Sequence, residues 1–100
     1  MAHAGTSAIC AAIRARVLLE FEYEGLRRVV APYCHGETRS GEALRAIQVA
    51  GESRSRGFGF GKLWIVERMR GLQATSQSFA PDDPSYNPND NAMISIHCRI

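Results

Sequence analysis

Apolar and polar positions alternate along this chain in short blocks, and the period of that alternation changes once. Ile9, Ile13 and Val17 recur every four residues on one helical stripe, and Thr6 or Ser7 can cap its start, so a short helix is expected through about Val17. From Leu19 the period drops to two. Leu19, Phe21 and Tyr23 alternate with Glu20, Glu22 and Glu24, the signature of a strand with one buried and one solvated face. Glu24-Gly25 offers a tight turn, and RRVVAPY opens a second strand in which Pro32 suits an edge or a bulge rather than a central ladder position.

After the polar stretch HGETRSGE, the segment ALRAIQVAG reads as a third strand. The polar loop GESRSRG precedes KLWIVERM as a fourth, whose run LWIV implies deep burial. SFAPDDPSYNPND, rich in Pro, Asp and Asn, reads as an irregular crossing loop over 79–91. The chain finishes on MISIHCRI, where Ile94, Ile96, Cys98 and Ile100 alternate with Ser95, His97 and Arg99. The pattern therefore predicts a mainly β, α+β chain: an N-terminal helix followed by about five short strands in a small, bent antiparallel sheet or partly open barrel.

At 100 residues the chain makes one domain, 1–100, with a flexible start over 1–7. A formal charge of +2 does not announce nucleic acid, but eleven of its twelve basic residues are arginine, which favours planar contact with phosphates, carboxylates and bases. Three cysteines, Cys10, Cys34 and Cys98, form no C-x-x-C spacing, so neither a disulfide framework nor a zinc ribbon is expected, and a reduced, cytoplasmic setting is the simplest. No window approaches the roughly 18 apolar residues of a membrane span, so no membrane partner is expected.

RSRGFGFGKLW, residues 54–64, raises a specific alternative, because RGFGF fits the start of the aromatic RNA-binding signature of the RRM fold. That fold needs a second aromatic signature upstream and a helix before its last strand. Glu20, Glu22 and Glu24 instead interleave with the upstream aromatics, and QATSQSFAPDDPSYNPND is too rich in proline and turn residues for a helix. GFGFG is also no phosphate cradle, since no helix N-terminus follows it and it does not end in GK[ST]. The plain reading is a glycine loop feeding the LWIV strand, with Phe58 and Phe60 folding back over the core.

Cys34-His35 and His97-Cys98 have the residue types of a zinc site. Neighbouring strand residues point to opposite faces, however, so each pair offers one ligand to a given metal, and no metal site is expected. No G-x-S-x-G elbow or H-E-x-x-H helix appears, and Asp82, Asp83 and Asp90 suit turns. The chain is accordingly read as no enzyme, with no catalytic residues and no cofactor.

The order FEYEGLRRVVAPY, ALRAI, KLWIVERMRGLQAT and the closing FAPDDPSYNPNDNAMISIHCRI resembles the WYL domain, from Ile9 to Ile100. The resemblance implies an SH3-like or Sm-like barrel that senses ligands in bacterial transcription regulators, including those of phage-defence loci. Its tail is similar to a small group standing alone without a DNA-binding domain. The Trp-Tyr of the name motif is absent, since Glu42, Ala43 and Leu44 occupy those three positions. The family's positively charged pocket for nucleotides or nucleic acid implies ligand contacts at Arg45, Lys62 and Arg68, to which charge adds Arg28 in the second strand. Arg45 and Lys62 are expected on adjacent strands, converging on one face. The implied partners are a nucleotide, an oligonucleotide or another anionic ligand, and a separate DNA-binding or effector protein. The alternative is an assembly module that docks proteins or self-associates without a small ligand. Short sheet edges and the Pro-bearing second strand favour a homodimer.

Overall fold

The computed structural model describes residues 4–51, 63–84 and 86–100, with side chains from Ala8 onward. Helix α1 spans Ala4–Ala15, and six strands follow: β1 Val17–Tyr23, β2 Leu26–Thr38, β3 Gly41–Gly51, β4 Leu63–Ile65, β5 Arg70–Ser78 and β6 Ser95–Arg99. One open antiparallel sheet runs in the order β4-β3-β2-β1-β5, with β6 also on β2. This is the expected α+β architecture of one helix and a small bent sheet.

The helix begins and ends earlier than its apolar stripe suggested. Arg16 takes a left-handed conformation, φ 57°, which breaks the helix and turns Val17 into β1. Along β1 the predicted alternation holds, with Leu19, Phe21 and Tyr23 all buried. Glu24 and Gly25 both have positive φ, 55° and 76°, the conformation of the tight hairpin turn that matches the strands' twist.

β2 organises the sheet. One edge pairs with β3 from Arg28 to Thr38; the other pairs first with β1, up to Val30, and then with β6, from Cys34 to Glu37. Pro32 lies in the gap between those two partners, beside a register shift against β3, so a proline in a central strand is accommodated at a bulge as expected.

Both faces of the sheet are covered. On one, α1 sets Ile9, Ala12 and Ile13 against Leu19, Phe21, Tyr23, Val30, Leu44, Ala46 and Trp64. On the other, Leu18, Val29, Ala31 and Tyr33 pack under Phe79 and Tyr86 of the crossing segment, together with Ile47 and Ile100.

Two expectations are corrected. KLWIVERM is not one strand: β4 has three residues and passes into a 3₁₀ turn at Val66–Arg68, and only Trp64 of LWIV is fully buried. The sixth strand, β5, was not expected. Its pattern is mostly exposed and its residues polar, so it lacks the alternation that marks β1 and β6, and it exists because β1 offers it a free edge. No helix lies among the described residues between β5 and β6, and none anywhere in them is long and apolar enough to cross a membrane.

Candidate functional site

The predicted basic contacts separate. Arg28 is 1% exposed. Its guanidinium donates to the Tyr23 carbonyl, to Gln48 Oε1 and to Glu24, and lies over the Trp64 ring on the helix side of the sheet. Arg45 alternates to the opposite face from Leu44 and Ala46 and grips Asp90 of the crossing segment through Nε and Nη2, at 2.7 and 3.1 Å. That grip holds the Asp90 carboxyl below its ordinary range. Arg68 is exposed at the end of the 3₁₀ turn. Lys62, expected to converge with Arg45, lies outside the described residues, as do Phe58 and Phe60. Arg28 and Arg45 do not share a face.

Chemistry gathers instead where α1 meets β2 and β6. His35 pairs with Cys98 across the β2–β6 ladder, which puts both side chains on the face that α1 covers, and α1 contributes Cys10. His35 Nδ1 stands 3.4 Å from Cys10 Sγ and 3.7 Å from Cys98 Sγ. On the other side of the ring, Nε2 is 2.5 Å from Glu42 Oε2, the diagonal neighbour of His35 on β3. A carboxylate only accepts, so Nε2 donates and Nδ1 is left with its lone pair towards the sulfurs. Burial of His35, fully enclosed, lowers its pKa and favours that neutral ring, against the pull of Glu42.

The two sulfurs are joined in a Cys10–Cys98 disulfide, with Cα atoms 5.7 Å apart, fastening the helix to the last strand. The absence of a disulfide expected from the odd cysteine count is thereby corrected: Cys34 is the odd one, free and buried, and burial pushes its thiol up to about 11. Of the two imidazoles next to these strand cysteines, His35 is fully buried and His97 is exposed.

A second assumption fails at the same place. Between the pairs His35–Cys98 and Gly36–Ile96 the ladder slips, and His97 is the extra residue. Its ring lies 5.2 Å from that of His35, with Nε2 3.1 Å from Glu37. Strict alternation would have carried it away.

β6 can approach this closely because Gly36 has no side chain: a Cβ there would stand 2.1 Å from the Ser95 carbonyl oxygen. Sequence reasoning missed Cys10 and Glu42. Cys10 stood beside the Ile9–Ile13 stripe and so carried a weak signal, whereas the diagonal pairing of Glu42 needs the register of a hairpin. The chain matches no protein-family model, no curated protein and no solved structure.

Proposed function

We propose that the chain is a non-enzymatic, cytoplasmic sensing module of the WYL type. In this reading it binds a nucleotide, an oligonucleotide or another anion and relays its occupancy to a separate DNA-binding or effector protein. The observation that carries the reading is the division among the arginines. Arg28 and Arg45 are engaged inside the fold, whereas Arg68 and Arg70 stand exposed two residues apart, and among the described residues neither forms an ion pair. Exposed guanidinium groups keep their forked donors available to phosphate oxygens. Both lie within KLWIVERMRGLQAT, one of the segments that carry the resemblance, and Arg68 is the one it implies as a ligand contact, which makes Arg68 the first residue to substitute.

The test is binding of labelled single-stranded DNA and of a nucleoside triphosphate across a salt series. Affinity should fall steeply with salt, and Arg68→Ala should weaken binding and reduce the slope by about one unit for the lost phosphate contact. Absence of binding at low salt defeats the proposal.

A second reading, assembly without a small ligand, is favoured by β5. This nine-residue strand pairs with β1 along one edge, from Arg70 to Ser78 with two register shifts, and the other edge meets no strand among the described residues. An open edge of that length suits pairing with a second copy. Light scattering that returns a homodimer, together with no anion binding, selects this reading.

A further inference from the structure

We propose that Cys10, Cys98 and His35 form a zinc(II) site in the reduced protein, with the disulfide and the metal as alternative states of the same three side chains. Among the described residues these ligand atoms lie within 4.8 Å of one another.

The geometry fits zinc at its nitrogen. Tetrahedral zinc with sulfur at about 2.3 Å and nitrogen at about 2.0 Å sets the S···N separation at roughly 3.5 Å. The two observed separations, 3.4 and 3.7 Å, bracket that value. Once the disulfide is broken, the sulfurs must move apart to van der Waals contact, and zinc asks about 3.8 Å of them. Rotation of two cysteine side chains supplies that movement while the backbone stays in place.

The surroundings match as well. A zinc-bound histidine commonly donates its remote ring N–H to a carboxylate, which fixes the ring and raises its basicity. Glu42 does this for His35, through a contact that a purely structural disulfide does not require. His35 is fully buried, while both cysteines are partly accessible, so an ion has a route to the sulfurs. Three protein ligands leave the fourth position to water. The donors come from three separate elements, α1, β2 and β6, so metal would replace the disulfide as the clasp between the helix and the last strand.

The interconversion balances. A dithiol reductant gives two electrons and two protons: its own sulfurs join in a disulfide, the Cys10–Cys98 bond breaks, and two thiols result. Zinc(II) then displaces those two protons as both sulfurs bind as thiolates, while neutral His35 donates the Nδ1 lone pair. In a reducing compartment the metal state is the one populated. This inference stands independently of the anion-binding reading.

The experiment uses the full chain, reduced with a phosphine under anaerobic conditions, and titrates zinc in competition with a chromophoric chelator. One equivalent should bind to the reduced protein and none to the oxidised protein. Cobalt(II) in place of zinc should give a thiolate-to-cobalt charge-transfer band, a readout on the unaltered chain in which no variant's folding enters. Glu42→Gln, which leaves all three ligands present, should weaken zinc binding roughly 10–100-fold. Cys34→Ser should bind as the parent does. A reduced chain that takes up no zinc, a cobalt adduct without the charge-transfer band, or loss of binding in Cys34→Ser with retention in Cys10→Ser would each overturn the proposal.

Discussion

The guanidinium carbon of Arg28 lies 5.5 Å from the centroid of the Trp64 ring, and both side chains are buried. Trp64 in turn meets Tyr23 and Phe21 edge to face, at 5.0 and 5.4 Å, and the Tyr23 hydroxyl accepts from the Ile65 N–H. The charge is thus stacked on an aromatic face and hydrogen-bonded by a carbonyl. These are the conditions under which an arginine is tolerated inside a protein. Arg28→Ala leaves the Tyr23 carbonyl without this donor and opens a cavity above Trp64, and it should cost about 2–4 kcal/mol in urea denaturation. Arg28→Lys should recover only part of the loss, because an ammonium cannot reproduce the planar fork. An Arg28→Ala chain of undiminished stability would return Arg28 to the ligand-binding set.

Gly36→Ala should also destabilise, by about 1–3 kcal/mol, because the new methyl meets backbone rather than a yielding side chain. Displacing β6 carries Cys98 away from Cys10, so the variant should form the disulfide more slowly in a reoxidation assay read by mass spectrometry. Equal rates would show that β6 docks elsewhere than at Gly36.

The state of His35 sets a pH dependence of known sign. Its folded pKa lies below the ordinary 6.5 because burial disfavours the cation, so below that value the unfolded chain binds the extra proton more readily. Stability contributed by neutral His35 is therefore present above about pH 6.5 and is lost as the pH falls towards the lowered folded value. Asp90 adds a separate limb, since its folded pKa is lowered by the Arg45 contact from 3.8, and that stability disappears only at stronger acidity. Urea midpoints measured from pH 8 down to pH 5 should decline below 6.5 in the parent and less in His35→Gln. A flat profile in the parent would contradict the buried neutral ring.

Cys34 should resist alkylation. With its thiol pushed up to about 11 and its side chain enclosed, almost no thiolate is present at pH 8. Iodoacetamide added to the reduced, native chain should label Cys10 and Cys98 well before Cys34. Asp90→Asn, which loosens the segment that Arg45 holds over that face, should speed labelling of Cys34 specifically. Peptide mapping distinguishes the three sites.

Reduction in the presence of a chelator should lower stability by up to about 4–5 kcal/mol, the chain-entropy value for a crosslink spanning 88 residues. A loss below about 1 kcal/mol would mean that the denatured chain is already compact around these residues.

Periodicity alone determined the elements that bury one face at a time. Leu19, Phe21 and Tyr23 announce β1, Glu24-Gly25 the turn and Ile96 and Cys98 the last strand, because each pattern is local and repeats every second residue. The overall class, one helix and a bent antiparallel sheet, follows from those patterns. Tertiary structure decided the rest. β5 carries no apolar alternation and is a strand only because β1 leaves an edge for it. Arg28 reads as a surface cation until Trp64, distant in sequence, comes to lie beneath it. The Cys10, His35, Cys98 and Glu42 cluster needs a helix laid across two ladders, a diagonal register and a bulge at His97. Such contacts depend on which strands become neighbours, and that choice minimises the free energy of the whole chain rather than of any segment whose period can be read.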